Sequence, residues 1–213
     1  EKWRQIFDYR KMINEPALKG IYRYHEFIGP SIPLGDIVYL GEGHTPVIEA
    51  NAHLQAAVGL RFFFKNDGQN PSASFKDRGM ASALSYINFL VNNGLVSDVL
   101  AICASTGDTS AAAALYAAYL QPQVKSAVLL PHKKVTPQQL SQPLGSGAAV
   151  FEIPGVFDDC MKVVEALSER VALRAGQGPE PGGGRKPEPE CCARAAGRSC
   201  GPASRPTRSR SRR

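Results

Sequence analysis

From Arg61 onward the chain alternates short apolar runs with longer segments of helical spacing, and this alternation limits the available folds more than any other feature. Arg61–Phe64 reads as a strand and Phe75–Asn92 as a helix. Val99–Cys103 reads as a strand, followed by a Ser/Thr/Gly turn and an Ala-rich helix from about Thr109 to Leu120. Val124–Leu130 is then a strand, Thr136–Leu144 a helix, Ala149–Ile153 a strand and Phe157–Arg170 a helix. Strand and helix in turn predict an α/β fold: a parallel sheet with right-handed crossovers and helices on its faces. In such sheets ligands gather at the carboxyl ends of the strands, where the loops are. Ahead of this region, Trp3–Ile13 has helical spacing through Trp3, Ile6, Phe7 and Arg10. A stretch punctuated by Pro and Gly then leads to Pro46.

The chain has 213 residues and 43% hydrophobic content, enough for one large domain or two small ones. Its net charge of +6 invites a nucleic-acid reading, but the charge is unevenly spread. Residues 1–170 hold 15 Lys/Arg against 16 Asp/Glu, whereas residues 171–213 hold 10 against 3. The second segment has seven Gly, six Pro and no aromatic residue, and its only large aliphatics are Val171 and Leu173. Such a composition cannot bury a core, so the expected organisation is a folded part over 1–170 and a disordered tail over 171–213. Arg205–Arg213 would suit electrostatic binding of nucleic acid, but no aromatic side chains interleave with the arginines, and that reading ranks low.

No stretch reaches the roughly 18 apolar residues of a membrane span. The start, Glu1-Lys2-Trp3, does not read as a signal peptide. Cys103 and Cys160 are well separated and read as reduced core thiols of a cytoplasmic protein, with neither a disulfide framework nor a metal site expected.

Two segments carry candidate chemistry. The first is Asn70-Pro71-Ser72-Ala73-Ser74-Phe75-Lys76-Asp77-Arg78-Gly79, a polar turn that becomes an amphipathic helix with one lysine at the join. Ser72 and Ser74 can cap that helix, Asp77 is an acid in its first turn, and Pro71 stiffens the approach. A lysine amine acts as a nucleophile only when neutral, which calls for a partly desolvated site or a neighbouring positive charge. Solvated charges at an ordinary helix start are the alternative for Lys76 and Arg78. The second segment is Cys103-Ala104-Ser105-Thr106-Gly107-Asp108-Thr109-Ser110, between a strand and the Ala-rich helix. Hydroxyls and free backbone amides at a helix N-terminus suit a carboxylate or phosphate. The plainer alternative is a capped loop with Asp108 or Thr109 as the N-cap. Two such loops after strands of one sheet point toward a shared cleft.

Together these segments resemble pyridoxal-phosphate enzymes of the tryptophan-synthase β-like fold (fold type II), and among them the threonine synthases most closely. That family's lysine motif reads Asn-Pro-Thr-Gly-Ser-Phe-Lys-Asp-Arg; here Ser72 replaces Thr and Ala73 replaces Gly. Gly41-Glu42-Gly43-His44-Thr45-Pro46-Val47 and Ser105–Ser110 match two further family motifs. Leu130–Val135 with Gln139–Pro143, and Gly155–Lys162, resemble two more, so the matches run in order from about residue 38 to 165.

The resemblance implies a three-layer parallel-sheet fold, here incomplete, with pyridoxal 5'-phosphate bound through a Schiff base to Lys76, which also transfers protons. It assigns Ser105, Thr106 and Thr109 to the substrate carboxylate or phosphate, and Lys134 to the substrate phosphate. Asp108 would face the cofactor's phenolic oxygen, where related enzymes often carry Asn, and an ionised carboxylate there would be repulsive. The implied reaction converts O-phospho-L-homoserine and water to L-threonine and phosphate. A homodimer is the partner state the family suggests, with no membrane and no metal. Threonine dehydratase, cysteine synthase or a non-catalytic remnant of the fold are the competing functions. After Glu165 the family pattern is expected to continue with a Leu-Asn-Pro segment and a glycine loop for the cofactor phosphate. Gly182-Gly183-Gly184, followed by Arg185-Lys186-Pro187, does not fit that loop. The expectation is therefore a truncated or out-of-frame tail and an inactive fragment.

Overall fold

The computed structural model describes residues 1–175. Helix α1 (Lys2–Tyr9) stops short of the expected Ile13, because Asn14-Glu15-Pro16 follows and Arg10 is drawn sideways. The Arg10 guanidinium donates to the Glu26 carboxylate and to the Arg23 carbonyl, the latter at 2.7 Å. The stretch up to Pro46 holds three single-turn 3-10 segments and the short α2 (His25–Ile28). It docks along a later helix through side-chain amides: Asn88 donates to the Asp36 carbonyl at 3.0 Å and Asn92 to the Asp36 carboxylate at 2.6 Å.

Strand β1 (Val47–Glu49), helix α3 (Ala52–Val58) and strand β2 (Phe63–Lys65) come next. Asn51 caps α3 by accepting the Leu54 amide at 2.9 Å, a start signal that the alternation did not bring out. The expected strand at Arg61–Phe64 is thus shifted to Phe63–Lys65, and it lies outside the parallel sheet. It pairs antiparallel with β1, Val47 opposite Lys65 and Glu49 opposite Phe63, as a separate two-stranded unit. With two strands of three residues each, partner choice rests on long-range pairing, which periodicity does not report.

Helix α4 (Lys76–Asn92) leads into the parallel sheet, made of β3 (Val99–Ala104), β4 (Val124–Pro131) and β5 (Ala149–Ile153) in the order β3-β4-β5. Helix α5 (Asp108–Tyr119) connects β3 to β4, and α6 (Pro137–Gly145) connects β4 to β5. Helix α7 (Phe157–Ala175) follows and runs past the expected Arg170; the sequence has no Gly or Pro until Gly176. The remainder of the expected tail lies outside the described residues. Central β4 is buried along nearly its whole length, as a strand flanked on both edges and covered on its faces should be.

The small side chains of α5 let it approach closely: Ala112, Ala114 and Ala117 have no exposed surface. One core cluster joins Val38, Ala81, Leu84, Tyr116, Ala117 and Val124; a second joins Ala114, Val128, Leu130 and Ala148. Cys160 is buried and Cys103 half-buried, both as free thiols. Among the described residues, no helix is long and apolar enough to cross a membrane.

Leu130 is 1% exposed within the second cluster, whereas Leu100 on β3 is 52% exposed. Leu130→Ala is therefore expected to cost about 2–5 kcal/mol in urea unfolding, and Leu100→Ala distinctly less.

Candidate active site

The turn before α4 is shaped by a buried acid. Asp77, with no exposed surface, accepts the Ser72 hydroxyl at 2.6 Å and the Ser72 amide at 2.8 Å. Ser72 therefore does not cap the helix as expected: its hydroxyl is drawn back to the side chain of the second helical residue. Ser74 is nearer to that role, its hydroxyl accepting the Lys76 amide at 3.3 Å, although Phe75 occupies the cap position. Between the serines, Ala73 is held at φ +61°, the left-handed region where a Cβ is strained. Glycine is the residue that fits there without cost.

Asn70 ties this turn to the Gly-Glu-Gly loop by accepting the Gly43 amide at 2.9 Å. Arg78, whose sequence context allowed a merely solvated charge, instead grips Asp67 with two hydrogen bonds of 2.7 and 3.1 Å. Thr45 donates to the same carboxylate at 3.1 Å. The Arg78 hydrogen bonds hold the Asp67 carboxyl below its ordinary value.

The loop after β3 meets the lysine turn directly. The Ser74 hydroxyl donates to the Asp108 carboxylate at 3.1 Å. Gly107 occupies the cap position of α5 and Asp108 is the first helical residue, so neither Asp108 nor Thr109 is the N-cap. The Ser105 hydroxyl accepts the Gly107 amide at 3.2 Å, and Ser110 donates to the Gly107 carbonyl at 2.6 Å. A cleft of about 200 Å³ lies between the two segments, lined by Ser72, Ala73, Gly107, Asp108 and, from α6, Gln138, Gln139 and Gln142.

Of the six residues singled out from sequence, Asp108 lines this cleft. Ser105 and Thr106 on the loop and Thr109 in the first turn of α5 are half-buried but do not line it. Lys134 is exposed on the loop between β4 and α6. Lys76 is also exposed, against the expected desolvation, with its ammonium 5.1 Å from the Phe75 ring centroid. None of the ion pairs among the described residues involves Lys76.

Gln139 and Gln142 stand in a family-like stretch but were not singled out as site residues, and Gln139 carries a further signal: Thr136-x-x-Gln139 is a capping box. The Thr136 amide donates to Gln139 Oε1 at 2.9 Å, and Thr136 Oγ1 accepts the Gln139 amide at 3.3 Å. Since Oε1 is taken by Thr136, the Nε2 donor faces the Gly107 side of the cleft.

A doubly tethered lysine turn, a hydroxyl-rich loop at the carboxyl end of a parallel strand and a shared cleft agree with the comparisons to known proteins. Residues 38–181 match the pyridoxal-phosphate dependent enzymes, and the chain belongs to that family. The curated relatives it matches include threonine synthases. That of Methanocaldococcus jannaschii is 38% identical over 172 residues, covering 77% of this chain and 40% of that protein. That of Synechocystis is 42% identical over 145 residues, covering 66% and 36%. Threonine synthase 2, chloroplastic, of Arabidopsis thaliana is 34% identical over 176 residues, covering 81% and 33%. This chain thus spans about 40% or less of their length. A crystal structure of PLP-bound threonine synthase from Brucella melitensis aligns with a TM-score of 0.51 at 23% identity, over 70% of this chain and 32% of that one, which supports the tryptophan-synthase β-like fold.

The family's cofactor is pyridoxal 5'-phosphate. The residues present fit it: Lys76 is an exposed amine, without an ion pair among the described residues, on the same turn as Ala73 of a cleft also lined by the Asp108 carboxylate and the amides of Gln138, Gln139 and Gln142.

Two outcomes are expected from this geometry. Ala73→Gly should raise unfolding stability by about 1 kcal/mol, since relief of left-handed strain exceeds the added chain entropy of glycine. Asp67 has a lowered folded-state pKa, so its contribution is present above its ordinary value and lost as pH falls through the folded one. Asp67→Asn should flatten the fall in urea midpoint between near-neutral pH and about pH 3.

Proposed function

We propose that this chain carries the lysine side of a threonine synthase site, whose reaction converts O-phospho-L-homoserine and water to L-threonine and phosphate. The observation that supports it is the Ser74–Asp108 hydrogen bond, which joins the turn of Lys76 to the Ser/Thr loop around one cleft. Pyridoxal phosphate, when bound, supplies an electron sink that lowers the cost of forming carbanions on the substrate.

The chain's own groups supply the rest. Lys76 Nζ would hold the cofactor covalently and, once released, would accept and return a proton at the substrate carbons. The hydroxyls of Ser105, Thr106 and Thr109 donate to the substrate carboxylate or phosphate, and Lys134 pairs with the departing phosphate. Gln139 Nε2, oriented by its capping box, adds a donor on the same side. Asp108, kept in place by Ser74, would face the ring oxygen of the cofactor. On this reading the protein is a cytoplasmic enzyme of amino-acid biosynthesis. Because Lys76 is exposed here, water is not excluded from the reacting atoms, and turnover by this chain alone is low.

Mixing the chain with pyridoxal phosphate should give an absorption band near the edge of the visible that is absent in Lys76→Ala. Borohydride reduction should fix a pyridoxyl group on the peptide containing Lys76. Phosphate release from O-phospho-L-homoserine is expected to be slight. Labelling that persists unchanged in Lys76→Ala would sink the proposal.

A further inference from the structure

The Gly-Glu-Gly loop has a property that its motif does not announce. Gly41 and Gly43 both lie at positive φ, +107° and +78°, and the residue between them is turned into the interior. Glu42 has no exposed surface. Its Oε2 accepts two hydrogen bonds, from the Leu40 amide at 3.0 Å and the Tyr116 hydroxyl at 2.8 Å. Among the described residues its Oε1 has no partner, and it faces Gly20, which has no side chain to offer one.

This lopsided pattern is that of a carboxylic acid, one oxygen acting as a carbonyl acceptor and the other carrying the proton. An ionised carboxylate would leave a charged oxygen bare in an apolar interior, at a cost well above that of one unmade hydrogen bond. The ionisable groups around it come from each neighbouring element: Tyr22, Tyr39, Asp77 and Arg78 of α4, and Tyr116 of α5. Arg78 is committed to Asp67, and Asp77 brings a second acid. Burial first, and the Asp77 charge after it, push the Glu42 carboxyl up.

Glu42 also stands at a junction. Tyr116 is in α5, whose first residue is Asp108. The next residue in the loop, Gly43, donates to Asn70 of the lysine turn, and Ser74 of that turn donates to Asp108. The contacts form a closed circuit through α5, the Gly-Glu-Gly loop and the turn.

We propose that Glu42, as a neutral carboxylic acid, is a positioning residue for the cofactor: by accepting the Tyr116 hydroxyl it holds α5 and Asp108 in register with the turn that presents Lys76. The proposal rests on the role given to Lys76 above. Raising the pH through the folded-state value ionises Glu42, hydrates its pocket and loosens the turn. Glu42→Gln keeps the acceptor without a proton to lose, so it escapes that change.

The test is attachment of pyridoxal phosphate to Lys76, read by absorbance and by borohydride mass labelling, in wild type, Glu42→Gln and Tyr116→Phe. The intrinsic pH dependence of lysine condensation cancels in the ratio of wild type to Glu42→Gln. That ratio should be near one at the acid end of the range in which the protein stays folded and fall about threefold or more toward its alkaline end. Tyr116→Phe, which should fold even if Glu42→Gln does not, should weaken attachment about threefold while its circular dichroism spectrum stays unchanged. A ratio that is flat with pH, or a Tyr116→Phe chain that attaches cofactor like wild type, overturns the positioning role and leaves the role of Lys76 standing. Wild-type protein that is never labelled at Lys76 overturns both.

Discussion

The Asp77 carboxylate takes both the amide and the hydroxyl of Ser72 inside the protein, and the shape of the lysine turn follows from that closure. A buried acid is costly unless its oxygens are met by donors, and here the five-residue span back to Ser72 meets both. Closing so short a loop drives Ala73 to positive φ, points Ser74 at Asp108, and makes Lys76 the first residue of α4. Asp77 lies in the first turn of α4, where the helix N-terminus also favours a negative charge.

Around this turn the protein handles its acids in three ways. Asp77 is satisfied by donors. Asp67, nearer the surface, is satisfied by the Arg78 guanidinium and by Thr45, which pins the Gly-Glu-Gly segment to α4. Glu42 has donors on only one oxygen and a raised pKa. At Asp67 the hydrogen bonds to the anion favour the charged form; at Glu42 the neutral acid is favoured, because desolvation outweighs the two bonds it accepts. Together they clamp one polar turn between the loop and two helices while leaving the lysine amine free.

The α/β architecture was legible because β3, β4 and β5 are apolar runs of strand length separated by helices of adequate length. Their bounds in sequence and structure differ by a residue or less. The two-stranded unit was not legible in the same way. Phe63 and Phe64 read as strand, but nothing local says that their partner is Val47–Glu49 or that the pair stands apart from the parallel sheet. Consequently the lysine turn does not follow a strand of that sheet; the packing of α4 on α5 brings it against the loop after β3, where Ser74 meets Asp108. The site was half legible. Lys76 and the Ser/Thr loop were marked by residue type, and a family resemblance gave them roles. Gln139 was announced by its capping box, but the cleft it faces is formed by three separate segments.

By itself, the sequence determined the order of strands and helices, the lysine at a helix start, the hydroxyl loop, and the glycines that let the Gly-Glu-Gly loop take left-handed conformations. These depend on neighbours a few residues apart, where propensity, capping and periodicity act. Tertiary structure alone decided that Arg78 meets Asp67, that Ser74 meets Asp108, that Lys76 stays exposed, and that Glu42 is buried with one oxygen unpaired. Charge partners and desolvation are set by groups 11 to 74 residues away in the chain, and only packing brings those groups within hydrogen-bonding distance.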